Sequence, residues 1–421
     1  MNSQQPAAVD RPLVAYAAVT AAYWAFMLTD GALRMLVLLH FNMLGFSPVQ
    51  LAYLFILYEV AGIITNAYAG WLAARFGLTS TLYAGLSLQI LALLALTQLD
   101  PSWGVALSVA FVMLVQGLSG VAKDLAKMSS KSAVKVLAPS EEGGLFRWVA
   151  VLTGSKNAVK GLGFFLGTFM LGTLGFDQAI IVMAVILGCI LIAVLVGMPA
   201  GLPTGKKSAK MSALFATDRK VNWLSFARVF LFGARDVWFV VGIPIYFYSV
   251  WTDGSPEGNR AAFFMIGIFM AGWIIFYGFV QALAPRLLNA SQAPLTRLVS
   301  AASVWCFSLV VVPTVLALAV CWIAEPHAYL TYAVIAGLLI FGALFAVNSS
   351  LHSYLILAFS SAERVTMDVG FYYMANAAGR LLGTLLSGLS YQLGGLPACL
   401  GTAAVMLLLS WIGCLRLREQ A

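Results

Sequence analysis

Apolar stretches of about 20 residues or more follow one another along nearly the whole chain, with short polar segments between them. Each stretch is long enough to cross a hydrocarbon core of about 30 Å as an α-helix. The strict apolar–polar alternation of a membrane β-barrel is missing, so the pattern favours helices. It predicts twelve membrane helices over residues 13–40, 48–72, 79–98, 103–127, 144–173, 178–198, 221–250, 261–284, 294–322, 328–357, 366–391 and 396–415.

The composition agrees with a protein that lies in a lipid bilayer. Hydrophobic residues make up 62% of the chain and charged residues only 10%, whereas a soluble surface needs about a quarter of charged residues. The fold class is therefore predicted to be an all-α integral membrane protein. The five Cys show no CxxC or paired spacing, and the three His are scattered. We therefore predict no disulfide, no metal site and no cofactor.

Loop charges predict the orientation of the chain in the membrane. The N-terminal segment and the even-numbered loops hold most of the Lys and Arg residues. The odd-numbered loops hold mainly acidic residues, with Arg260 as their single cation. The positive-inside rule then predicts cytoplasmic N- and C-termini, in the inner (plasma) membrane of a bacterial cell. Topology thus explains the formal net charge of +8, and no nucleic-acid partner is needed.

The longest predicted cytoplasmic connection divides the chain near its middle. It predicts an N-terminal six-helix half over residues 1–199, a cytoplasmic linker over 200–222 and a C-terminal six-helix half over 223–421. An internal repeat supports this division, because KNAVKGLG at Lys156 resembles ANAAGRLLG at Ala375. Repeats that run in the same direction are typical of transporters whose two halves rock around a central site.

Several cations fall inside the predicted helices rather than in loops. A Lys or Arg that faces lipid costs about 2.5 to 3.5 kcal/mol on an insertion scale, so these side chains are expected to face a polar interior. The planar guanidinium of Arg binds phosphate oxygens bidentately, and a Lys adds a point charge. The predicted substrate-binding residues are Arg34, Lys156, Lys160, Arg235 and Arg380, together with Asn157 and Arg228.

Three carboxylates also fall inside predicted helices, and two roles are open for them. Asp30 lies four residues before Arg34, and Asp236 adjoins Arg235, which favours ion pairs. Glu59 has no cation close to it in sequence and could carry protons, or pair with a cation on another helix. The five helix cations outnumber these acids, which favours an anionic substrate such as a small multi-anionic phosphoester.

Lys123 and Asp124 lie near the predicted inner end of the fourth helix. Together with Arg75, which precedes the third helix, they are candidates for a cytoplasmic gate. The alternative is that the cations of this region belong to a solvated positive-inside loop.

Two resemblances to known proteins narrow the fold. The segment GWLAARFG, Gly70–Gly77, resembles the signature loop between helices 2 and 3 of the major facilitator superfamily, in which a Gly opens a sequence that reads Asp-Arg-x-Gly-Arg. Gly70, Arg75 and Gly77 match that loop, whereas Ala74 replaces its Asp and Leu78 its second Arg. The resemblance implies the superfamily's fold of two six-helix halves.

Four blocks closely resemble the ArsJ family of organoarsenical efflux permeases: Tyr23–Phe41, Leu118–Pro139, Trp148–Gly167 and Phe230–Val250. This resemblance implies export of 1-arseno-3-phosphoglycerate, and thereby arsenate resistance. Glyceraldehyde-3-phosphate dehydrogenase makes this ester when arsenate replaces phosphate, so the resemblance implies that enzyme as a functional partner. The assignment of an arsenic compound as substrate rests on the resemblance to the family alone, since no motif in the chain is specific for arsenic.

Two other functions stay open beside this one. The first is an organophosphate/phosphate antiporter of the same fold. The second is a membrane-embedded enzyme that acts on lipid phosphates, although no acid/base or metal constellation stands out and the repeat suits alternating access better. We therefore expect a transporter rather than an enzyme, and a monomer in the lipid bilayer.

Overall fold

A computed structural model of the chain describes residues 11–137, 144–198, 218–289, 293–323, 328–360 and 365–420. Within these ranges the chain is helical apart from short turns, and no strand occurs in them. The helices are α1 (Arg11–Met43), α2 (Pro48–Tyr53), α3 (Ile56–Leu96), α4 (Val105–Leu137), α5 (Gly144–Thr173), α6 (Phe176–Gly197), α7 (Arg219–Val237), α8 (Ile243–Trp251), α9 (Pro256–Leu287), α10 (Leu295–Trp322), α11 (Ala328–Phe359) and α12 (Val365–Arg418).

The described helices make twelve crossings because two of them bend back. Helix α3 breaks at Gly77, whose φ of 76° lies in the left-handed region that glycine adopts without strain. Helix α12 breaks in the same way at Gly394 and Gly395. A π-helix, Trp238–Gly242, joins α7 to α8 into a single crossing. The predicted all-α fold with twelve membrane helices is confirmed.

Ten spans among the described residues are long and apolar enough to cross a membrane. The span Asp368–Arg418 holds two crossings, on either side of the break in α12. Helix α5 is 30 residues long but is absent from the ten, and Lys156 and Lys160 interrupt its apolar sequence. Its charges are therefore placed in the middle of a helix that has the length of a membrane span.

Local sequence explains where several helices begin. Ser47 accepts a hydrogen bond from the Gln50 backbone N–H, and the Gln50 side chain accepts one from the Ser47 N–H, so a capping box starts α2. Asp218 caps α7 by accepting hydrogen bonds from the next turn, and Ser255 caps α9 in the same way. Helix α7 therefore starts within the predicted linker 200–222, most of which lies outside the described residues.

The predicted ends of some helices differ from the observed ones. Helix α4 runs to Leu137 rather than 127, and α9 begins at Pro256 rather than 261. Polar residues lengthen the helix in both cases, since a helix can extend past the hydrocarbon region, where the hydropathy signal stops. Helix α5 has the predicted bounds of 144–173.

Glycines bring helix backbones into contact at equivalent places in the two predicted halves. Gly163 of α5 lies against the Leu28 carbonyl and Gly31 of α1. Gly383 of α12 lies against Gly233 and Asp236 of α7. A Cβ at either glycine would collide with the facing backbone, so these are small-residue contacts of the kind that membrane helices use to approach closely.

The outer surface of the described bundle is apolar. Large hydrophobic side chains such as Ile192, Val196 and Leu318 are exposed on α6 and α10. In water such a surface would aggregate, whereas in a bilayer it contacts lipid tails. The polar and charged side chains that are buried face the interior instead, where they form the site described next.

Candidate functional site

A cavity of about 270 Å³ lies in the middle of the bundle, with its wall formed by residues from α1, α3, α4, α5, α7, α9, α11 and α12. Among the described residues, the cations that line it are Arg34, Lys123, Lys127, Lys156, Lys160, Arg228, Arg235 and Arg380. The carboxylates that line it are Glu59, Asp124 and Asp236, and Asp30 lies just behind the wall. These groups leave a formal excess of four positive charges around the cavity.

A chain of alternating charges crosses the cavity wall from α1 to α7. Oε1 of Glu59 accepts from Nη2 of Arg34 at 3.2 Å and from Nη2 of Arg380 at 2.6 Å. Arg380 also reaches Oδ2 of Asp236 with its Nε at 3.5 Å, and Arg235 donates to Oδ1 of Asp236 at 2.7 Å. Three guanidinium groups thus share two buried carboxylates, which joins α1 and α3 to α7 and α12.

Lys160 and Asp30 form a second buried ion pair, between α5 and α1. The Lys160 ammonium lies 3.2 Å from Oδ2 of Asp30, and the Tyr58 hydroxyl donates to Oδ1 at 2.6 Å. The ammonium of Lys123 lies 3.9 Å from the centre of the Tyr58 ring. The partner of Asp30 is therefore Lys160 on another helix, rather than Arg34 one turn away.

Arg228 lines the cavity and is held by neutral groups. Its Nε donates to Oδ1 of Asn376 at 2.9 Å, and its Nη1 donates to the carbonyl and hydroxyl of Ser349 at 3.1 and 3.2 Å. The guanidinium also lies between the rings of Phe232 and Tyr372, at 3.9 and 4.8 Å. No carboxylate among the described residues forms an ion pair with Arg228, which is only 4% exposed. Its charge therefore lacks an internal counter-charge within the described part of the chain.

Asp124 and Lys127 lie at one end of the cavity. Lys127 donates to Asn66 at 2.6 Å and pairs with Asp124 at 3.3 Å, and the hydroxyl of Thr65 also donates to Asp124. Asp124 and Lys123 beside it are both buried. Both gate candidates of α4 thus line the cavity wall itself.

Arg75, the third gate candidate, does not line the cavity. Its side chain is exposed and lies over the ring of Trp71, 5.4 Å from the ring centre. It follows the wall residues of α3 by more than two turns of helix, so the helix carries it past the end of the cavity.

Helix α2 packs against α12 at one end of the bundle. Gly388 of α12 touches the Pro48 carbonyl so closely that a Cβ there would collide with it, and Gln392 accepts a hydrogen bond from the Val49 N–H at 3.4 Å. On α3 the lining residues Glu59, Gly62 and Asn66 lead away from this contact, one turn after another. The cavity therefore extends from the centre of the bundle toward the end at which Lys127 lies.

All seven predicted substrate-binding residues line this cavity, so distant parts of the sequence meet in one place. Asn157 lies beside Gln281 of α9, to which its amide donates at 3.3 Å. Sequence reasoning missed Tyr277 and Gln281, although Ile274, Tyr277 and Gln281 recur at i, i+3 and i+7 and so lie on one helix face. It also missed Tyr58, whose hydroxyl gives no signal in an apolar helix.

The described residues contain no cluster of three or more His, Cys, Asp or Glu that could hold a metal ion. The chemistry of the site is thus that of cations, carboxylates and hydrogen-bond donors in a small cavity. Such a set of groups can bind an anion, since guanidinium and ammonium groups match oxyanion geometry.

Solved structures resemble this arrangement of helices. A mutant of the nucleoside transporter NupG superimposes with a TM-score of 0.66 over 97% of this chain and 99% of that one, at 14% sequence identity. The chain has the major facilitator fold. A POT family transporter in complex with a thioalcohol-conjugated peptide superimposes with a TM-score of 0.69 over 94% of both chains, at 13% identity. No family model matches the chain, and no curated protein matches it in sequence.

Both structures are of transporters, and at these identities they show the shared fold alone. The chain thus shares the fold of these transporters. Transporters built from two six-helix halves bind their substrates near the middle of the bundle, and the charged residues of this chain meet in the middle of its bundle as well.

Proposed function

We propose that the chain exports 1-arseno-3-phosphoglycerate from the cytoplasm by alternating access around the central cationic cavity. The observation that carries this proposal is the formal excess of four positive charges around the cavity, where the described residues that hold Arg228 are neutral. A phosphate monoester carries about 1.5 to 2 negative charges near neutral pH, and an arsenate end adds more. A small ligand with two oxyanion ends would neutralise the excess.

The size of the cavity supports a small metabolite. Its volume of about 270 Å³ is slightly below the range of about 300 to 1,000 Å³ found for pockets that hold drug-sized ligands. A hydrophobic drug would leave the excess cations without counter-charges, which costs several kcal/mol for each buried ion. A compact phosphoester satisfies both the size and the charge.

The specific substrate rests on the resemblance of four sequence blocks to the ArsJ family, and the cationic cavity is compatible with it. Glyceraldehyde-3-phosphate dehydrogenase is then the enzyme that supplies the substrate in the cytosol. We propose a bacterial inner membrane with cytoplasmic termini, a monomer, and the two halves 1–199 and 223–421 as the moving bodies. In that orientation the cavity extends toward the cytoplasm, where the substrate is made.

The membrane potential favours this direction of transport. Moving one net charge is worth about 2.3 kcal/mol per 100 mV, so an anion that leaves with three net charges gains about 7 kcal/mol at an interior-negative potential of that size. Uncoupled import of the same anion would oppose the field. Proton coupling is therefore permitted and not required.

Arsenic accumulation in arsenate-challenged cells tests the proposal. Cells carry the chain with and without the dehydrogenase, and the matched controls are the chain with Arg34→Ala and with Arg416→Ala. Arg416 is an exposed residue outside the cavity, paired with Glu419. We expect less intracellular arsenic only when the dehydrogenase is present with the unaltered chain or the Arg416 variant.

Export that does not depend on the dehydrogenase would contradict the organoarsenical substrate. Exchange of phosphate for a phosphoester in proteoliposomes, without any effect on arsenic in cells, would instead support the organophosphate/phosphate antiporter. The same cationic cavity favours that second candidate, because phosphate and arsenate oxyanions make the same contacts with Arg and Lys.

A further inference from the structure

Glu59 joins two arginines from different helices in the charged network of the cavity wall. One of its oxygens, Oε1, accepts from both Arg34 of α1 and Arg380 of α12. The other oxygen, Oε2, is buried and has no hydrogen-bond partner among the described residues. The whole side chain is only 1% exposed, although it lines the cavity. A carboxylate thus lies between two forks that point into the space where an anion would bind.

This arrangement is the one that a bound oxyanion would make. Guanidinium groups bind carboxylate and phosphate oxygens through the same N–H donors, so both kinds of oxyanion compete for them. The two forks come from α1 and α12, and an anion entering the cavity meets them already paired with Glu59. The anion can bind both guanidinium groups only by replacing the Glu59 carboxylate.

A displaced Glu59 would not stay without a cation. Lys123 and Lys160 line the same cavity as Glu59. Lys160 is already paired with Asp30, whereas Lys123 lies over the Tyr58 ring beside the cavity. Asp236 keeps its own fork, Arg235, when Arg380 turns away. The network can therefore rearrange around an incoming anion with each buried carboxylate still facing a cation, which avoids the large cost of an unpaired buried charge.

We propose that Glu59 is an internal counter-anion that occupies the place of the substrate's oxyanion at Arg34 and Arg380. The anionic substrate displaces it on binding, and Glu59 expels the substrate's oxyanion by returning to the two forks. The pair Glu59–Arg380 also joins α3 to α12, so the exchange of partners loosens and restores one contact between the two predicted halves. This inference rests on the proposed function, since it requires an anionic substrate.

Loss of the Glu59 carboxylate is therefore expected to raise the affinity for the substrate and to lower the rate of turnover. Without the carboxylate, both forks are free to hold the substrate, so binding tightens. Release then slows, because nothing takes the substrate's place. If Glu59 merely neutralised charge, its loss would have a different effect. The affinity for the anion would then rise no more than it does when another carboxylate of the cavity is removed.

The test compares Glu59→Gln with Asp124→Asn in purified full-length protein. Both changes remove one carboxylate from the same cavity wall, but Asp124 pairs with Lys127 rather than with the two forks. Binding of 3-phosphoglycerate and of inorganic phosphate is measured by calorimetry, and exchange of the bound anion is measured in proteoliposomes. For Glu59→Gln we expect at least a tenfold lower Kd and at least a tenfold slower exchange, with a smaller change in Kd for Asp124→Asn.

Equal tightening in the two variants, or an unchanged or higher Kd in folded Glu59→Gln protein, overturns the inference. Should Glu59→Gln fail to fold, Glu59→Asp replaces it, because the shorter side chain keeps the charge but draws away from the forks. A lower Kd is again expected, and an unchanged one counts against the role. If the wild-type protein binds neither probe, the result contradicts both the proposed function and this inference. If the wild-type protein binds a probe but the Glu59 variant binds it no more tightly, the result contradicts the inference alone.

Discussion

Gly163 of α5 and Gly383 of α12 make the same contact in two parts of the chain, each against the backbone of a helix that also carries a cavity arginine. Gly163 lies against α1, one turn before Arg34, and Gly383 lies against α7 beside Arg235. The repeat that relates Lys156 to Ala375 in sequence therefore has a counterpart in packing. The two arginines are set at the cavity by equivalent helix contacts.

We expect Gly163→Leu and Gly383→Leu to reduce the stability of the protein strongly. A side chain at either position meets backbone atoms that cannot move aside, and overpacking of this kind costs about 1 to 3 kcal/mol or more. Thermal unfolding in detergent measures the loss. Gly188→Leu and Gly401→Leu are matched controls, because open space surrounds both positions. Equal unfolding temperatures for the two pairs would contradict the proposed contacts.

We expect Arg34→Ala or Arg235→Ala to abolish transport while folded protein remains in the membrane. Each change removes a fork that water cannot replace at equal strength, and a charge-assisted hydrogen bond contributes about 1.5 to 3 kcal/mol. Uptake or export of labelled anion in vesicles is the measurement, with Arg416→Ala as the exposed control. Normal transport by both variants would exclude these arginines from the site.

Arg228→Lys is expected to weaken anion binding by about tenfold to a hundredfold, since each factor of ten corresponds to about 1.4 kcal/mol. Lysine keeps the charge but cannot hold Asn376 and Ser349 together, nor stack between Phe232 and Tyr372. Arg228→Met should lose still more, because it also removes the charge. The Kd for 3-phosphoglycerate separates the two variants. If both bind like wild type, Arg228 is a packing residue.

For the ion pair between Asp30 and Lys160 we predict an effect on the stability of the fold. Among the described residues, Lys160→Met leaves Asp30 buried with the Tyr58 hydroxyl as its remaining direct partner, and breaking a buried pair costs about 3 to 5 kcal/mol. The double variant with Asp30→Asn should recover much of that loss, since no buried charge is left over. Thermal unfolding of the single and double variants is the check. A double variant that is less stable than Lys160→Met would argue against the pair.

Much of the fold could be predicted from the sequence because a bilayer imposes a simple rule. Each crossing needs about 20 apolar residues, so hydropathy alone locates the helices, and α5 has its predicted bounds. The ends of α4 and α9 were missed because helices continue beyond the apolar core, where no such rule applies. The cost of a cation in lipid also predicted that Arg34, Lys160 and Arg380 face inward, and they do.

Which cation pairs with which acid was decided by tertiary structure alone. Asp30 is one helical turn from Arg34, yet it pairs with Lys160 because α5 packs against α1 through Gly163. Glu59 has no cation near it in sequence and meets two, from α1 and α12. The sequence by itself determined that buried charges must find partners, since the membrane interior penalises every charge alike. The choice of partner depends on distances of a few ångströms between helices far apart in the chain, and only their packing sets those distances.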